Sequence, residues 1–174
     1  DGINFQIKSG EKIAIVGRTG AGKSTIIKLI NRFYSPDSGE VLLDGHSLES
    51  LPVTALRKRI GFVLQDVYLF SGSVHQNLSL FESSYDQAAR EQVTVLKNSN
   101  LLSSGNKELK DIEHNGANFS LGEKQLVAFG RVYVKNADIF LLDEATSNVD
   151  VRTEQFLQKQ LTEFLDNKTA IIIA

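Results

Sequence analysis

The first hydrophobic period along this chain is two. Ile3, Phe5 and Ile7 alternate with polar residues, as in a half-buried strand, and Ser9-Gly10 turns into an apolar run over residues 12–16. The period then becomes helical: Ile26, Ile27, Leu29, Ile30 and Phe33 share one face. Residues 35–39, Ser-Pro-Asp-Ser-Gly, break that helix, and residues 40–43 read as a strand ending at Asp44-Gly45. Arg57, Lys58 and Arg59 precede another short apolar strand at residues 60–64, which stops at Gln65. The three cations read as a basic patch or as a solvated helix end, and the helix end is favoured.

From residue 66 to about residue 136 the pattern changes. An apolar loop around Tyr68, Leu69 and Phe70 leads into polar, helix-biased sequence with Val93 and Leu96 on one side. Residues 103–106, Ser-Ser-Gly-Asn, make a flexible break. Residues 139–142 then resume as a buried strand. Asp150 is placed to N-cap a helix bearing Phe156, Leu157, Leu161, Phe164 and Leu165, and a last strand follows at residues 170–174. The expectation is one α/β domain over residues 1–174, with a core of residues 1–65 and 137–174 and a helical subdomain inserted at about 66–136.

Composition narrows the field only a little. The chain has 174 residues, 41% hydrophobic and 23% charged, enough for one domain with a sizeable core. A formal net charge of −2 gives no electrostatic case for a nucleic-acid partner. Without cysteine there is no disulfide framework and no thiolate metal site. No run approaches the ~18 apolar residues of a membrane-spanning helix, and no signal-peptide pattern opens the chain. The chain also lacks methionine, begins mid-pattern and stops within a strand, so it reads as a segment of a longer polypeptide, truncated at both ends. Asn77, Asn118 and Asn167 each begin an Asn-x-Ser/Thr triplet, taken here as chance matches.

The candidate chemistry centres on residues 17–25, Gly17, Arg18, Thr19, Gly20, Ala21, Gly22, Lys23, Ser24 and Thr25. Gly17, Gly22, Lys23 and Ser24 fit the phosphate-binding pattern G-x-x-x-x-G-K-[ST], between a predicted strand and a predicted helix as that motif requires. Glycines let backbone N–H groups crowd against phosphate oxygens, and the following helix N-terminus adds partial positive charge. Lys23 would reach the β- and γ-phosphates, and the Ser24 hydroxyl would hold Mg²⁺. Such a site needs a carboxylate at the end of a neighbouring buried strand, and Asp143 follows residues 139–142 directly. Glu144 comes next, and a second carboxylate there suits polarising an attacking water.

These segments, in this order, resemble the ATP-binding domain of ABC transporters over nearly the whole chain. The resemblance rests on the phosphate loop, Gln65 at a strand end, residues 118–125 (Asn-Phe-Ser-Leu-Gly-Glu-Lys-Gln), residues 139–144, and residues 147–150 (Ser-Asn-Val-Asp). Residues 63–72, Val-Leu-Gln-Asp-Val-Tyr-Leu-Phe-Ser-Gly, are similar to the Q-loop region of the exporter branch, which faces the coupling helices of the membrane domain. The resemblance implies a P-loop NTPase core with a mostly parallel sheet and an inserted helical subdomain. It also implies an ATPase that powers export from the cytoplasmic face of a membrane, with ATP and Mg²⁺ as cofactors. The implied partners are a second ATP-binding domain, alike or different, and the transmembrane domains of an exporter, fused or separate; no nucleic acid is expected.

The site roles follow from the same resemblance. Lys23, Ser24 and Thr25 contact phosphates and metal, Gln65 senses Mg²⁺ and the γ-phosphate, Asp143 anchors the metal through water, and Glu144 is the general base. Asp150 lies in the loop that crosses the dimer interface. Ser120, Leu121, Gly122 and Glu123 form the signature, whose Ser120 and Gly122 meet the γ-phosphate held by the opposite domain. A helix starting there would aim its N-terminus at that anion; Ser120 and Glu123 also match a capping box, and both readings hold together for Ser120.

The signature departs from the family's usual Leu-Ser-Gly-Gly-Gln. Glu123 in place of the amide either repels a triphosphate across the interface or turns away to cap its own helix. If it repels, this domain contributes a weakened site, as in asymmetric exporters. The family's adenine-stacking aromatic lies upstream of residue 1, so Phe5 and Tyr34 are not recruited for that role, and the switch histidine lies beyond Ala174. His46, His75 and His114 therefore read as surface residues. The segment as given is expected to turn ATP over slowly. Two other functions compete: a regulatory module that dimerises on ATP with little turnover, and a soluble ABC-type ATPase unconnected with transport.

Overall fold

The computed structural model describes residues 2–18, 20–64, 66–99, 101–102, 111–143 and 150–173. In chain order these form β1 (Lys12–Ile15), α1 (Lys23–Ile30), β2 (Leu42–Leu43), β3 (His46–Ser47), α2 (Val53–Arg59), β4 (Ile60–Val63) and α3 (Val74–Ser79). They continue as α4 (Asp86–Asn98), α5 (Leu121–Lys135), β5 (Ile139–Asp143), α6 (Val151–Phe164) and β6 (Thr169–Ile173). Thr19, Gln65, Glu144, Ser147 and the expected break at residues 103–106 lie outside the described residues.

The described chain divides into two compact units. The first is built on a four-stranded sheet in the order β1-β6-β5-β4, in which β6 runs parallel to both β1 and β5. Parallel strands buried on both faces read as continuous apolar runs, as residues 139–142 and 170–173 do. Ile27 of α1, Leu48, Leu56 of α2, Ile60, Leu141, Ile171 and Ile173 form one buried cluster, with α1 packed against β5. Beside it, β2 and β3 make a two-residue hairpin turned by Asp44 and Gly45, whose φ values of 53° and 79° suit the twist of the strands they join. The basic triplet is the last turn of α2, where cations complement the helix dipole. Its Arg59 pairs with Asp44 at 2.8 Å and with Asp138 at 3.4 Å.

Residues 2–8 correct an expectation. They form no strand, and Ile3 and Phe5 are exposed while Ile7 packs on the core. Period-two alternation creates a face, but a strand also needs a ladder partner, and no described strand pairs with these residues.

The second unit holds α3, α4, α5 and α6. α5 is buried almost all round, through Leu126, Val127, Ala128, Phe129, Val132 and Val134, and packs against the other three helices. Gly130 lets the helices approach, because a Cβ there would overlap Leu78 of α3 and lie 3.4 Å from Gln92 of α4. Two boundaries differ from those expected. The chain leaves the first unit after Phe62, and α6 belongs with α5 rather than with the sheet core. Apolar spacing marks the buried face of α6 but does not say which neighbour covers it.

Candidate nucleotide-binding site

The phosphate loop is formed by its own backbone. Gly22 precedes α1 with φ 89° and ψ 11°, a left-handed conformation that costs a residue with a Cβ roughly 1–2 kcal/mol. A Cβ there would meet nothing within 4 Å, so glycine is required for conformation and not for space. No side chain caps α1, which leaves its N-terminus suited to an anion. Lys23 Nζ donates to the Gly17 carbonyl at 2.6 Å, closing the loop and holding the ammonium over it. Two further ammonium hydrogens remain for phosphate oxygens.

Sheet register brings Asp143 to this loop's level. Ile173 of β6 pairs with Ile15 of β1 on one side and with Asp143 of β5 on the other. Ile15 and Asp143 are therefore two strand spacings apart, about 10 Å, where β1 and β5 end at the same edge of the sheet. Ligands bind parallel α/β sheets at that edge, outside the carboxyl ends of the strands. Asp143 is 9% exposed and Ser24 is half-buried in the first turn of α1. Both are oxygen donors of the hard kind that Mg²⁺ takes together with substrate phosphates.

A second cluster lies in the second unit. Ser120 caps α5: its hydroxyl accepts from Glu123 N–H at 3.2 Å, and Glu123 Oε2 accepts from Ser120 N–H at 2.7 Å. The Glu123 carboxylate is thus turned back onto its own helix. Asp150 caps α6, accepting at Oδ1 from the N–H groups of Arg152 and Thr153, both at 3.1 Å, and at Oδ2 from the Thr153 hydroxyl at 2.7 Å. The Thr153 hydrogen bonds hold the Asp150 carboxyl below the usual carboxylate range. The two caps adjoin, since a Cβ added to Gly122 would come within 3.4 Å of Asp150 Oδ2. Ser120 and Leu121 are exposed and Gly122 is buried. The structure thus gathers the described phosphate-loop residues with Asp143, and the signature with Asp150. His46 and His114 are exposed, while His75 is half-buried and pairs with Asp86 at 3.1 Å.

The second unit also carries a polar clamp that the sequence reading missed. Asn77, wholly buried, donates to the Phe70 and Ser73 carbonyls and accepts from Phe70 N–H. Arg131 of α5 donates to the Tyr68 carbonyl at 2.7 Å, the Asn77 carbonyl at 3.0 Å and Asn77 Oδ1 at 2.7 Å. Burial pushes its pKa down to about 10, so it remains a cation at neutral pH. The clamp holds a loop whose Tyr68 and Phe70 rings are exposed and stack edge-to-face, with exposed Phe81 packed edge-on to Phe70. The available signal was Arg131 as the lone cation in the apolar stretch 126–134. Asn77 had shown itself only as a glycosylation triplet, and its complete burial removes it as an acceptor.

A phosphate loop, a strand-end carboxylate and a parallel sheet define a nucleotide-binding P-loop domain. Residues 1–147 match the ABC transporter family model, and the chain belongs to that family as its ATP-binding domain. It is 40% identical to a putative ABC transporter ATP-binding protein of Mycoplasma genitalium, over 99% of this chain and 30% of that protein. It is 38% identical to an ATP-dependent lipid A-core flippase of Neisseria meningitidis, over 100% of this chain and 28% of that protein. A bacterial Atm1-family ABC exporter solved with ATP bound superposes with a TM-score of 0.82 at 36% identity, covering 98% of this chain and 30% of the other. The chain therefore spans under a third of the length of these relatives. Among the described residues no helix is long and apolar enough to cross a membrane.

Proposed function

We propose that this domain binds and hydrolyses MgATP at the cytoplasmic face of a membrane and so powers export through fused or separate transmembrane domains. The observation that carries the reading is the placing of the Gly22–Lys23 loop and Asp143 at one edge of the parallel sheet. The loop backbone, Lys23 and Thr25 bind the phosphates. Ser24 and Asp143 hold Mg²⁺, which offsets phosphate charge when bound. Gln65 orients the γ-phosphate side of the site, and Glu144 takes the proton of the attacking water. Ser120 and Gly122 offer the start of α5 to the γ-phosphate of a second such domain, with Asp150 at the same interface. The exposed rings of Tyr68, Phe70 and Phe81 support a docking surface for a cytoplasmic helix of the membrane domains.

Turnover and mass in solution test this reading together. Glu144→Gln is expected to lower ATP turnover at least a hundredfold, the lower range for a lost general base, while nucleotide binding persists. With saturating MgATP the same variant is expected at twice the monomer mass. Undiminished turnover would refute the assignment of Glu144, and a monomer that still binds ATP would favour a partner chain of different sequence.

A further inference from the structure

We propose that Thr153 is a positioning residue for the signature: wedged between the Asp150 carboxylate and Gly122, it fastens the starts of α5 and α6 into one block. The inference rests on the reading above, in which Ser120, Gly122 and Asp150 face the nucleotide of a second domain.

Three observations carry it. Thr153 is only 4% exposed, although Ser120, Leu121, Asp150 and Val151 around it are all exposed. Its hydroxyl donates to Asp150 Oδ2 at 2.7 Å, while Asp150 Oδ1 takes the Arg152 and Thr153 N–H groups. The carboxylate is thus held at both oxygens, and only one of those oxygens depends on the Thr153 side chain.

The third observation concerns Gly122. Its φ is not positive, so its backbone does not require glycine. Space is tight there: a Cβ on Gly122 would stand 3.3 Å from both Cγ2 and Oγ1 of Thr153, so that Thr153 would have to give by a few tenths of an ångström, and 3.4 Å from Asp150 Oδ2. Gly122 is therefore shaped by its own chain as well as by any ligand. A shift of Asp150 would press through Thr153 on the start of α5, and the interface loop and the signature would move together.

The test is ATP turnover by the parent chain, Glu144→Gln, Thr153→Val and Thr153→Ser, with melting temperatures beside it. Valine keeps the shape of threonine and removes the hydroxyl; serine keeps the hydroxyl and removes the methyl. Thr153→Val is expected to lower kcat at least tenfold with KM for ATP within about twofold, and Thr153→Ser to retain kcat within about threefold. An unchanged kcat in Thr153→Val, or equal losses in the two variants, would overturn the proposal. If Thr153→Val does not fold, Gly122→Ala is compared with Gly122→Ala/Thr153→Ser, where the smaller side chain is expected to restore part of the lost turnover; no recovery overturns the proposal. Absence of ATP turnover in the parent chain defeats the functional reading itself, whereas Glu144-dependent turnover insensitive to Thr153→Val defeats this inference alone.

Discussion

Asp150 is exposed, yet its carboxylate takes three hydrogen bonds from Arg152 and Thr153. Its folded pKa lies below its unfolded one, led by the Thr153 hydroxyl bond. The contribution to stability is therefore complete above the unfolded value and is lost as pH falls through the folded value. Thermal melts of the parent and Asp150→Asn from about pH 7 down to about pH 2 should show their difference widest near neutrality and closing at the acid end. A constant difference would mean that the charge is not what matters. At this scale much was legible: an N-cap carboxylate and a serine three residues before a glutamate are local signals. Glu123 accepts from Ser120 N–H, the arrangement expected of a residue that caps its own helix.

At the scale of elements, α5 joins the signature end to the aromatic loop. Arg131 sits in its third turn and meets the end of α3, where the Asn77 carbonyl would otherwise lack a partner within the helix. The guanidinium serves three acceptors through one planar fork, and its hydrogen bonds carry a full charge. Arg131→Met is expected to destabilise the domain by about 2–3 kcal/mol, read as a lower urea midpoint at unchanged slope. Arg131→Lys should recover only part, because an ammonium cannot present the same fork. The helices themselves were foreseeable from period and caps. The clamp was not, since Arg131 and Asn77 are far apart in sequence and neither signals the other.

At the scale of the whole molecule, two compact units carry two kinds of surface. The first unit presents the phosphate loop and Asp143, and the second presents the signature with Asp150 and, on the α3 side, the aromatic rings. Phe81 is 59% exposed and follows Leu80, both with left-handed φ values of 63° and 52°. Such backbone costs of order 1–3 kcal/mol per residue and clusters where function requires it. Phe81→Ser should leave the melting temperature of the domain nearly unchanged while weakening co-purification with the transmembrane domains proposed as its partner. Intact co-purification would remove this ring from the proposed docking surface. The inserted helical lobe was anticipated; the membership of α6 in it was not, because amphipathic spacing names a buried face without naming its cover.

The sequence by itself determined what depends on near neighbours: the glycine pattern of the phosphate loop, the apolar strand running into Asp143, the two helix caps and the change of period near residue 66. Each is a local rule of sterics or hydrogen bonding, readable within a few residues. Only the tertiary structure decided what depends on distant partners. Among the described strands it gave residues 2–8 no ladder partner, and it set Ile15 and Asp143 either side of Ile173. It also buried Arg131 among carbonyls and closed Thr153 between Asp150 and Gly122. Pairing and burial are properties of two segments at once, so they become definite only when the chain has brought both together.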